Sequence, residues 1–192
     1  PTAGNARNCY RLSGIDEAAR AARGIVVPVD DFSYREVRIP GGKKLKTADV
    51  HGLILDCDVF INVPVLKHHS SAHLSIAMKN LMGIVKNRME YHLVGLDQCI
   101  AVFCLYRKPD LNVVDAYRVL MSQGPAGPSN PHFADVQIKK TLLVSQDIVA
   151  VDAAAARIFG KDPEDIGYIK IGHAQKSGNM NLKDLKIVTY AM

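Results

Sequence analysis

The chain has 192 residues, of which 48% are hydrophobic and 22% charged, and this is enough apolar material for one well-packed core. No apolar run approaches the roughly 18–20 residues that a membrane-spanning helix needs, so we expect no membrane contact. The formal charge of +5 favours anionic ligands in general. Nucleic acid is not expected among them, because seven Tyr, five Phe and no Trp do not interleave with basic residues as a stacking platform requires.

The two ends of the chain and its cysteines restrict the possible classes further. The first residues are small and polar and contain no apolar segment typical of a signal peptide. The chain begins at Pro1 rather than Met, which we interpret as a processed or truncated piece. Cys9, Cys57, Cys99 and Cys104 form no CxxC pair, so no zinc ion or iron–sulfur cluster is expected within this chain. The absence of a disulfide framework fits a reducing compartment, and we expect a cytoplasmic protein.

Helix-like and strand-like segments alternate along the chain. In order, the patterns predict a helix over 15–23, strands over 24–30 and 34–39, a short helix over 47–55 and a buried strand over 58–65. Two helices follow over 71–85 and 95–107, then a strand over 111–115, a Gly- and Pro-rich loop over 122–132 and a strand over 140–145. A helix over 148–159, a last helix after Asp162-Pro163 and a closing strand over 185–190 complete the series.

This alternation predicts one α/β domain over residues 1–192. Its centre would be a mostly parallel open sheet with helices on both faces, in three layers. In such sheets ligands bind outside the carboxyl ends of the strands. The residues that follow each predicted strand are therefore the first candidates for a functional site.

A dense set of basic and polar side chains follows the strand over 58–65. Its members are Lys67, His68, His69, His73, Lys79, Asn80, Lys86, Arg88 and His92. If a helix begins near His69, then His69, His73 and Asn80 lie within about 40° of one another. Histidines four positions apart on a helix can share a metal, and a helix N-terminus beside Lys67 can hold a phosphate or carboxylate. No second set of metal ligands is evident, so anion binding is favoured over metal binding, and solvated or capping groups remain the alternative.

Further candidates lie at other predicted strand ends. Asp115 closes a buried strand, where it is either an active-site acid or a turn residue. Gly124 and Gly127 belong to a loop that either lets the backbone approach a ligand closely or only connects two elements.

Asp152 lies in the opening turns of the helix over 148–159. It has no basic residue four positions later, so a buried carboxylate there needs another partner, which could be Lys67 or Lys79. Functional and structural roles are both open for this aspartate.

Three blocks of the sequence resemble, in the same order, the motifs of the uncharacterised DUF362 family. They are DVFINVPVLKHHSSAHLSIAMKNLMGIV, KPDLNVVDAYRVLMSQGPAGP and SQDIVAVDAAAARIFGKDPEDIGYIKI, and they run from about Asp58 to Ile171. The resemblance implies that the family's motif positions here are Lys67, His69, Lys79, Asn80, Asp115, Gly124, Gly127 and Asp152. It also implies that the family's opening strand lies before Pro1. Members are often described as iron–sulfur proteins, but this chain lacks the cysteine clusters for that role.

Two functions are compatible with these features. The first is an enzyme that binds a small anionic substrate, in which the histidine exchanges a proton near neutral pH and the aspartates orient the site or bind a metal. The predicted catalytic residues are His69, Asp115 and Asp152, and the predicted substrate-binding residues are Lys67, Lys79, Asn80, Gly124 and Gly127. The second is a non-catalytic module that binds a cofactor or docks a ferredoxin-like electron-transfer partner through its positive surface.

Overall fold

The structure is a computed structural model that describes residues 6–27, 34–42 and 44–190. The helices are α1 (Ala6–Leu12), α2 (Ile15–Ala21), α3 (Gly52–Asp56), α4 (Ala77–Asn80), α5 (Met89–Val94), α6 (Leu96–Phe103), α7 (Ile148–Phe159) and α8 (Gly167–Ala174). The strands are β1 (Tyr34–Arg38), β2 (Thr47–His51), β3 (Ile61–Asn62), β4 (Val65–His69), β5 (His73–Ser75), β6 (Leu111–Leu120) and β7 (Val136–Ser145). Short 3₁₀ helices cover Leu81–Ile84, Pro131–Phe133, Pro163–Asp165 and Leu182–Asp184.

A mixed five-stranded sheet organises the fold. Strands β3 and β4 both pair in parallel with β6. Only Val63 and Pro64 separate the two strands, so β3 and β4 follow one another along the same edge of β6. Strand β5 pairs antiparallel with β4, and β7 pairs antiparallel with the other edge of β6. Strands β1 and β2 form a separate antiparallel pair. Strands and helices of this kind confirm the predicted α/β class.

Helix α7 packs on one face of this sheet, against β4, β6 and β7. Alternate residues of β6, namely Asn112, Val114 and Ala116, are fully buried, as expected for one face of a strand turned toward a helix. The helix carries several alanines at buried positions, which allow its backbone to approach the sheet closely. Helices α6 and α8 pack against each other, and α8 also contacts α7.

The opposite face of the sheet carries exposed apolar side chains in the described part of the chain. The register places Ile61 beside Leu111, and Val113 beside Val144. Five apolar side chains of this face are between 46% and 62% exposed, namely Ile61, Val63, Val65, Leu142 and Val144. A sequence pattern identifies apolar strands but does not reveal whether a second layer covers them.

The predicted helix over 71–85 is wrong, although its apolar stripe is correctly placed in the core. Strand β5, helix α4 and the 3₁₀ helix Leu81–Ile84 occupy this segment. The break falls at Ile76, whose backbone is extended, and His73 has a positive φ of 60°. The stripe residues are all buried, namely Leu74, Met78, Leu81, Met82 and Val85. The buried residues of this segment recur at a spacing that imitates the period of an amphipathic helix.

Three other segments differ from their predicted structure in the described part of the chain. The predicted helix over 47–55 is strand β2 followed by α3, because β1 offers an antiparallel partner to Thr47–His51. Residues 185–190 form no strand in the described structure, and residues 24–27 have no regular structure, whereas 28–30 lie outside the described residues. The predicted strands within β1, β6 and β7 and the helix α7 are confirmed.

The uncovered sheet face gives a stability prediction. We expect Val144→Thr to change the free energy of unfolding by less than about 0.5 kcal/mol, because Val144 is solvent-exposed. The matched control is Val114→Thr, which buries a hydroxyl under α7 and is expected to cost about 1–3 kcal/mol. Urea unfolding of both variants measures the difference. A large loss for Val144→Thr would show that this face is covered in solution.

Candidate functional site

The β4–β5 hairpin places basic side chains at the carboxyl end of β4. Lys67 lies opposite Ser75, and His69 lies opposite His73. Because side chains alternate along a strand, Lys67 and His69 project from the same face of β4. The hairpin replaces the helix that was expected to begin near His69, so the proposed helical grouping of His69, His73 and Asn80 is wrong.

His69 is buried and its tautomer is set by the turn of the hairpin. Its Nδ1 accepts hydrogen bonds from the backbone N–H groups of Ser71 (3.1 Å) and Ala72 (3.2 Å). The proton of the neutral ring therefore resides on Nε2, which is a donor. Burial, followed by the positive charges of neighbouring basic side chains, lowers the pKa of His69 to about 4. These neighbours, in order of effect, are Lys79, His92, His68 and Lys67. The expectation of a histidine that titrates near neutral pH is therefore wrong for His69, which is a neutral N–H donor at pH 7.

Lys79 projects from α4 and is half-buried. Its Nζ donates to the Sδ of Met82 over 3.7 Å. Burial lowers the pKa of Lys79 to about 8, and the charges of Lys67 and Arg88 contribute in the same direction. Within the described ranges, neither Lys67 nor Lys79 forms an ion pair with a carboxylate.

These basic side chains, of which His69 is neutral at pH 7, form one group that we call the basic cluster. Its members are Lys67, His69, Lys79, Arg88 and His92. Arg88 directly precedes α5 and His92 lies within it, so the cluster joins the hairpin, α4 and α5. Both residues were noticed in the sequence but not selected as site residues, because nothing in the spacing predicts that α5 returns to the hairpin.

Asp152 anchors the first residues of α4 through hydrogen bonds. It is fully buried in α7, and its Oδ1 and Oδ2 accept hydrogen bonds from the backbone N–H groups of Ala77 (2.7 Å) and Met78 (3.0 Å). Its partners are thus backbone amides rather than either of the lysines that the sequence suggested. Because these amides are occupied, the N-terminus of α4 does not offer them to an anion. Burial raises the pKa of Asp152 to about 8, although the two hydrogen bonds act in the opposite direction.

Asn80 belongs to a chain of side-chain amides that anchors α4 to the sheet. Its Nδ2 donates to Oδ1 of Asn62 (2.7 Å), and Nδ2 of Asn62 donates to Oδ1 of Asn112 (3.0 Å) and to the carbonyl of Ala77 (3.1 Å). Asn112 in turn donates to the carbonyl of Ser145 at the end of β7 (3.2 Å). This amide chain was missed in the sequence, although two asparagines inside apolar strand runs were its visible signal.

Asp115 lies on β6 opposite Val65, and its carboxylate serves its own strand. Its Oδ1 accepts a hydrogen bond from the backbone N–H of Tyr117 (2.8 Å), beside the irregularity in the pairing of β6 with β7. The structure therefore does not bring Asp115 and Asp152 together. Asp115 lies on the exposed sheet face, whereas Asp152 lies in the core beneath α4.

The glycine loop packs directly against the end of β4. The N–H of Gly124 donates to Nδ1 of His68 (3.0 Å), and its carbonyl accepts from the N–H of Ser70 (3.2 Å). A side chain at this position would overlap the carbonyl of His68, so the close approach requires glycine. Gly127 has a positive φ of 83°, which also favours glycine. Both glycines thus shape the loop beside the hairpin.

The surroundings limit the chemistry of this region. The described residues contain no group of three or more His, Cys, Asp or Glu side chains that could hold a metal ion. A surface depression lined by Glu36, Asp49, Asn87, Glu90 and Tyr91, among others, contains no member of the basic cluster. No helix in the described ranges is both long and apolar enough to span a membrane. The arrangement offers ammonium and guanidinium groups and one neutral imidazole N–H to a ligand.

Comparison with known proteins gives a family but no activity. A family model described as a domain of unknown function, DUF362, matches residues 1–157. The chain is 29% identical over 120 residues to a thylakoid-associated protein of Synechocystis sp., and this match covers 58% of the chain and 36% of that relative. The aligned region thus spans little more than a third of the relative. No solved structure has a significant match to the chain.

The contacts of Asp152 predict a structural effect. We expect Asp152→Ala to lower the free energy of unfolding by about 2–4 kcal/mol, because it leaves the buried amides of Ala77 and Met78 without acceptors. The control is Asp162→Ala, which removes one capping bond and an exposed ion pair with Arg157 and should cost about 1 kcal/mol. Chemical denaturation of both variants tests the difference, and equal losses would contradict the anchoring role.

The raised pKa of Asp152 also predicts a pH effect. The folded chain keeps this proton up to about pH 8, whereas the unfolded chain releases it near pH 4. The contribution to stability is therefore fully present below pH 4 and is lost as the pH rises through 8. Thermal melts from pH 5 to 8 should show that the parent loses stability relative to Asp152→Asn, which has no proton to release. Parallel curves for the two proteins would contradict this assignment.

Proposed function

Because the chain belongs to the DUF362 family, a domain of unknown function, we propose its function from the site alone. The proposed function is that of an enzyme that binds a small anionic substrate at the basic cluster. Lys67 and Lys79 provide the charge that binds the anion, and the Nε2–H of His69 donates a hydrogen bond to it. Asp152 and Asn80 act as positioning residues, since their side chains hold α4 and with it Lys79.

The observation that carries this proposal is that Lys67 and Lys79 influence each other electrostatically while neither forms an ion pair with a carboxylate within the described ranges. Lys67, Lys79 and Arg88 approach closely enough that each positive charge makes protonation of Lys79 less favourable. Such an arrangement costs free energy in the empty protein. A bound phosphate or carboxylate removes that cost and gains charge-assisted hydrogen bonds, each worth about 1.5–3 kcal/mol.

Burial favours a small ligand over a protein surface as the source of the anion. His69 is only 6% exposed, so its Nε2–H is accessible only to a group that enters the cluster. Lys79 is half-buried for the same reason. A docking protein would contact the outer members, such as His92, but would reach these two groups only with a protruding side chain.

Docking of a ferredoxin-like partner remains the second candidate. It is favoured by the net charge of +5, which would attract an acidic partner. The name of the Synechocystis relative associates that protein with thylakoids, and the name describes that protein only. The cytoplasmic location of this chain stays a prediction.

The proposal predicts the effect of removing one charge. We expect Lys67→Ala to weaken the binding of inorganic phosphate by about 10- to 150-fold, because one charge-assisted contact is lost. Its melting temperature without phosphate should stay within about 1–2 °C of the parent, as for other partly exposed sites. Calorimetric titration at constant ionic strength, with thermal melts, measures both quantities.

The control for this experiment is Lys183→Ala, which removes an exposed lysine far along the chain. If Lys67→Ala and Lys183→Ala bind phosphate equally, the cluster is not the anion site. If phosphate does not bind but an acidic ferredoxin does so in a Lys67-dependent way, the docking function replaces the enzyme.

A further inference from the structure

One face of the five-stranded sheet carries more exposed apolar surface than a monomeric protein usually presents. We call it the open face, and it lies opposite the face that α7 covers. Seven of its side chains are between 46% and 62% exposed, namely Ile61, Val63, Val65, Val136, Ile138, Leu142 and Val144. Together they present on the order of 700 Å² of surface, whereas the largest apolar patch of a typical monomer measures about 300–600 Å².

The pairing register shows that the first half of the open face is continuous. Val113 and Asp115 alternate with the buried residues of β6 and therefore point away from α7. Residues that lie opposite each other on paired strands share a face of the sheet. Val144 lies opposite Val113, and Asp115 has Leu142 of β7 on one side and Val65 of β4 on the other. Asp115 is thus surrounded by apolar side chains.

The second half of the open face follows the irregularity in the pairing of β6 with β7. Val119 is the fully buried residue of this half, so its neighbours Arg118 and Leu120 lie on the open face. Arg118 lies opposite Ile138, and Leu120 lies opposite Val136. The open face therefore extends along the whole length of the two long strands.

The charged groups near the middle of the open face are of opposite sign. Asp115 is half-buried and Arg118 is exposed, and in the described part of the chain neither forms an ion pair. At about 3.3 Å per residue the two side chains start roughly 10 Å apart along β6. An acid and a base arranged in this way can each pair with the other residue of a second copy that is related by a two-fold axis.

The free edge of β7 is a less favourable place for a second copy. Among the described strands β7 pairs only with β6, so its other edge is unpaired there. The pairing shifts beside Lys140, which is exposed and has a positive φ of 48°. Irregularities and lysines of this kind protect edge strands from edge-to-edge pairing. The open face has no comparable protection.

We propose that two copies of this chain associate through their open faces, around a two-fold axis that crosses β6 between Asp115 and Arg118. Because this axis reverses the direction of the strands, each Asp115 faces Arg118 of the partner subunit. Val144 likewise faces Val136 of the partner subunit, and Leu142 faces Ile138 of the partner subunit. Stacked sheets lie about 10 Å apart, a distance that an arginine and an aspartate span together.

The central carboxylate favours a second copy over a lipid surface. The net charge of +5 and the exposed Arg118 would attract anionic lipids. A membrane that covered the open face would, however, bury Asp115 without a partner, which is costly. A second copy supplies Arg118 of the partner subunit to this carboxylate.

The size of the open face indicates a reversible dimer. Its apolar area approaches the roughly 800 Å² that each partner contributes to an interface of standard size. Because association also has an entropic cost, we expect a dissociation constant on the order of 10 μM. The chain is then monomeric at submicromolar concentration, and the comparison of Val144→Thr with Val114→Thr concerns that state.

Sedimentation velocity of the full chain, from about 1 to 200 μM, measures the association. We expect a monomer–dimer equilibrium, and Val144→Glu should raise the dissociation constant at least about tenfold because it buries a carboxylate among apolar groups. The matched control is Val188→Glu. Val188 is 57% exposed, against 58% for Val144, but lies outside the sheet, so this change should alter the constant less than about twofold.

A charge exchange tests the position of the axis. Asp115→Arg and Arg118→Asp should each weaken the association at least about tenfold, because like charges then face each other in both symmetric pairs. The double variant restores opposite charges, and its dissociation constant should return to within about threefold of the parent. Thermal melts at submicromolar concentration check folding, and a recovery in the double variant excludes misfolding as the cause of the single losses.

Each contrary result refutes a stated part of the proposal. A single monomeric species at every concentration overturns the dimer, and unchanged association of Val144→Glu overturns the open face as its interface. If the double variant does not recover, the proposed axis is wrong. If the chain stays monomeric but binds vesicles of phosphatidylglycerol, and Val144→Glu abolishes that binding, the open face binds lipid and the dimer is refuted.

Discussion

The position of the candidate site depends on a buried carboxylate that holds two backbone amides. A four-residue helix cannot form alone, because nucleation fixes several residues for a single hydrogen bond. Helix α4 exists because Asp152 reaches out of α7 to the amides of Ala77 and Met78, and because Asn62 and Asn80 secure its other end. The lysine that α4 carries is therefore positioned by the core of the protein and not by its own helix. Loss of this carboxylate would displace the lysine before any ligand is considered.

The candidate site consists of the polar side chains that anchor α4 and of the basic cluster, and charge is distributed unevenly between these two groups. Asp152, Asn62 and Asn112 are buried and form hydrogen bonds, whereas the basic cluster holds cations that repel one another. Proteins tolerate such local conflict at functional sites when the surrounding structure over-determines the geometry. The conflict is informative here because a bound anion relieves it. The same reasoning explains why the aspartates are poor candidates for direct contact with an anionic ligand.

Sequence patterns predicted the strands and the long helix well, because β6, β7 and α7 have the alternation or period that their burial demands. They failed over 71–85, where the buried residues of a strand and two short helices recur at the spacing of one helix. Lys67 and His69, which were predicted to follow a strand, lie within β4, and Lys79 lies on α4. The partners of Asp152 and Asn80 could not be predicted, because each bond joins residues that are far apart in the sequence and depends on how α4 is oriented. The tautomer of His69 depends on a tight turn, which a predicted helix conceals.

The exposed apolar face of the sheet has a consequence for the thermodynamics of this chain. Unfolding normally raises the heat capacity because apolar surface becomes hydrated, by about 12–15 cal/mol/K per residue. The side chains on this face are already in water, since Val63 and Val144 are 62% and 58% exposed in the folded state. They add little to the heat-capacity change, so the curve of stability against temperature should be flatter than is usual for a chain of this length. A partner that covered the face would restore the missing curvature.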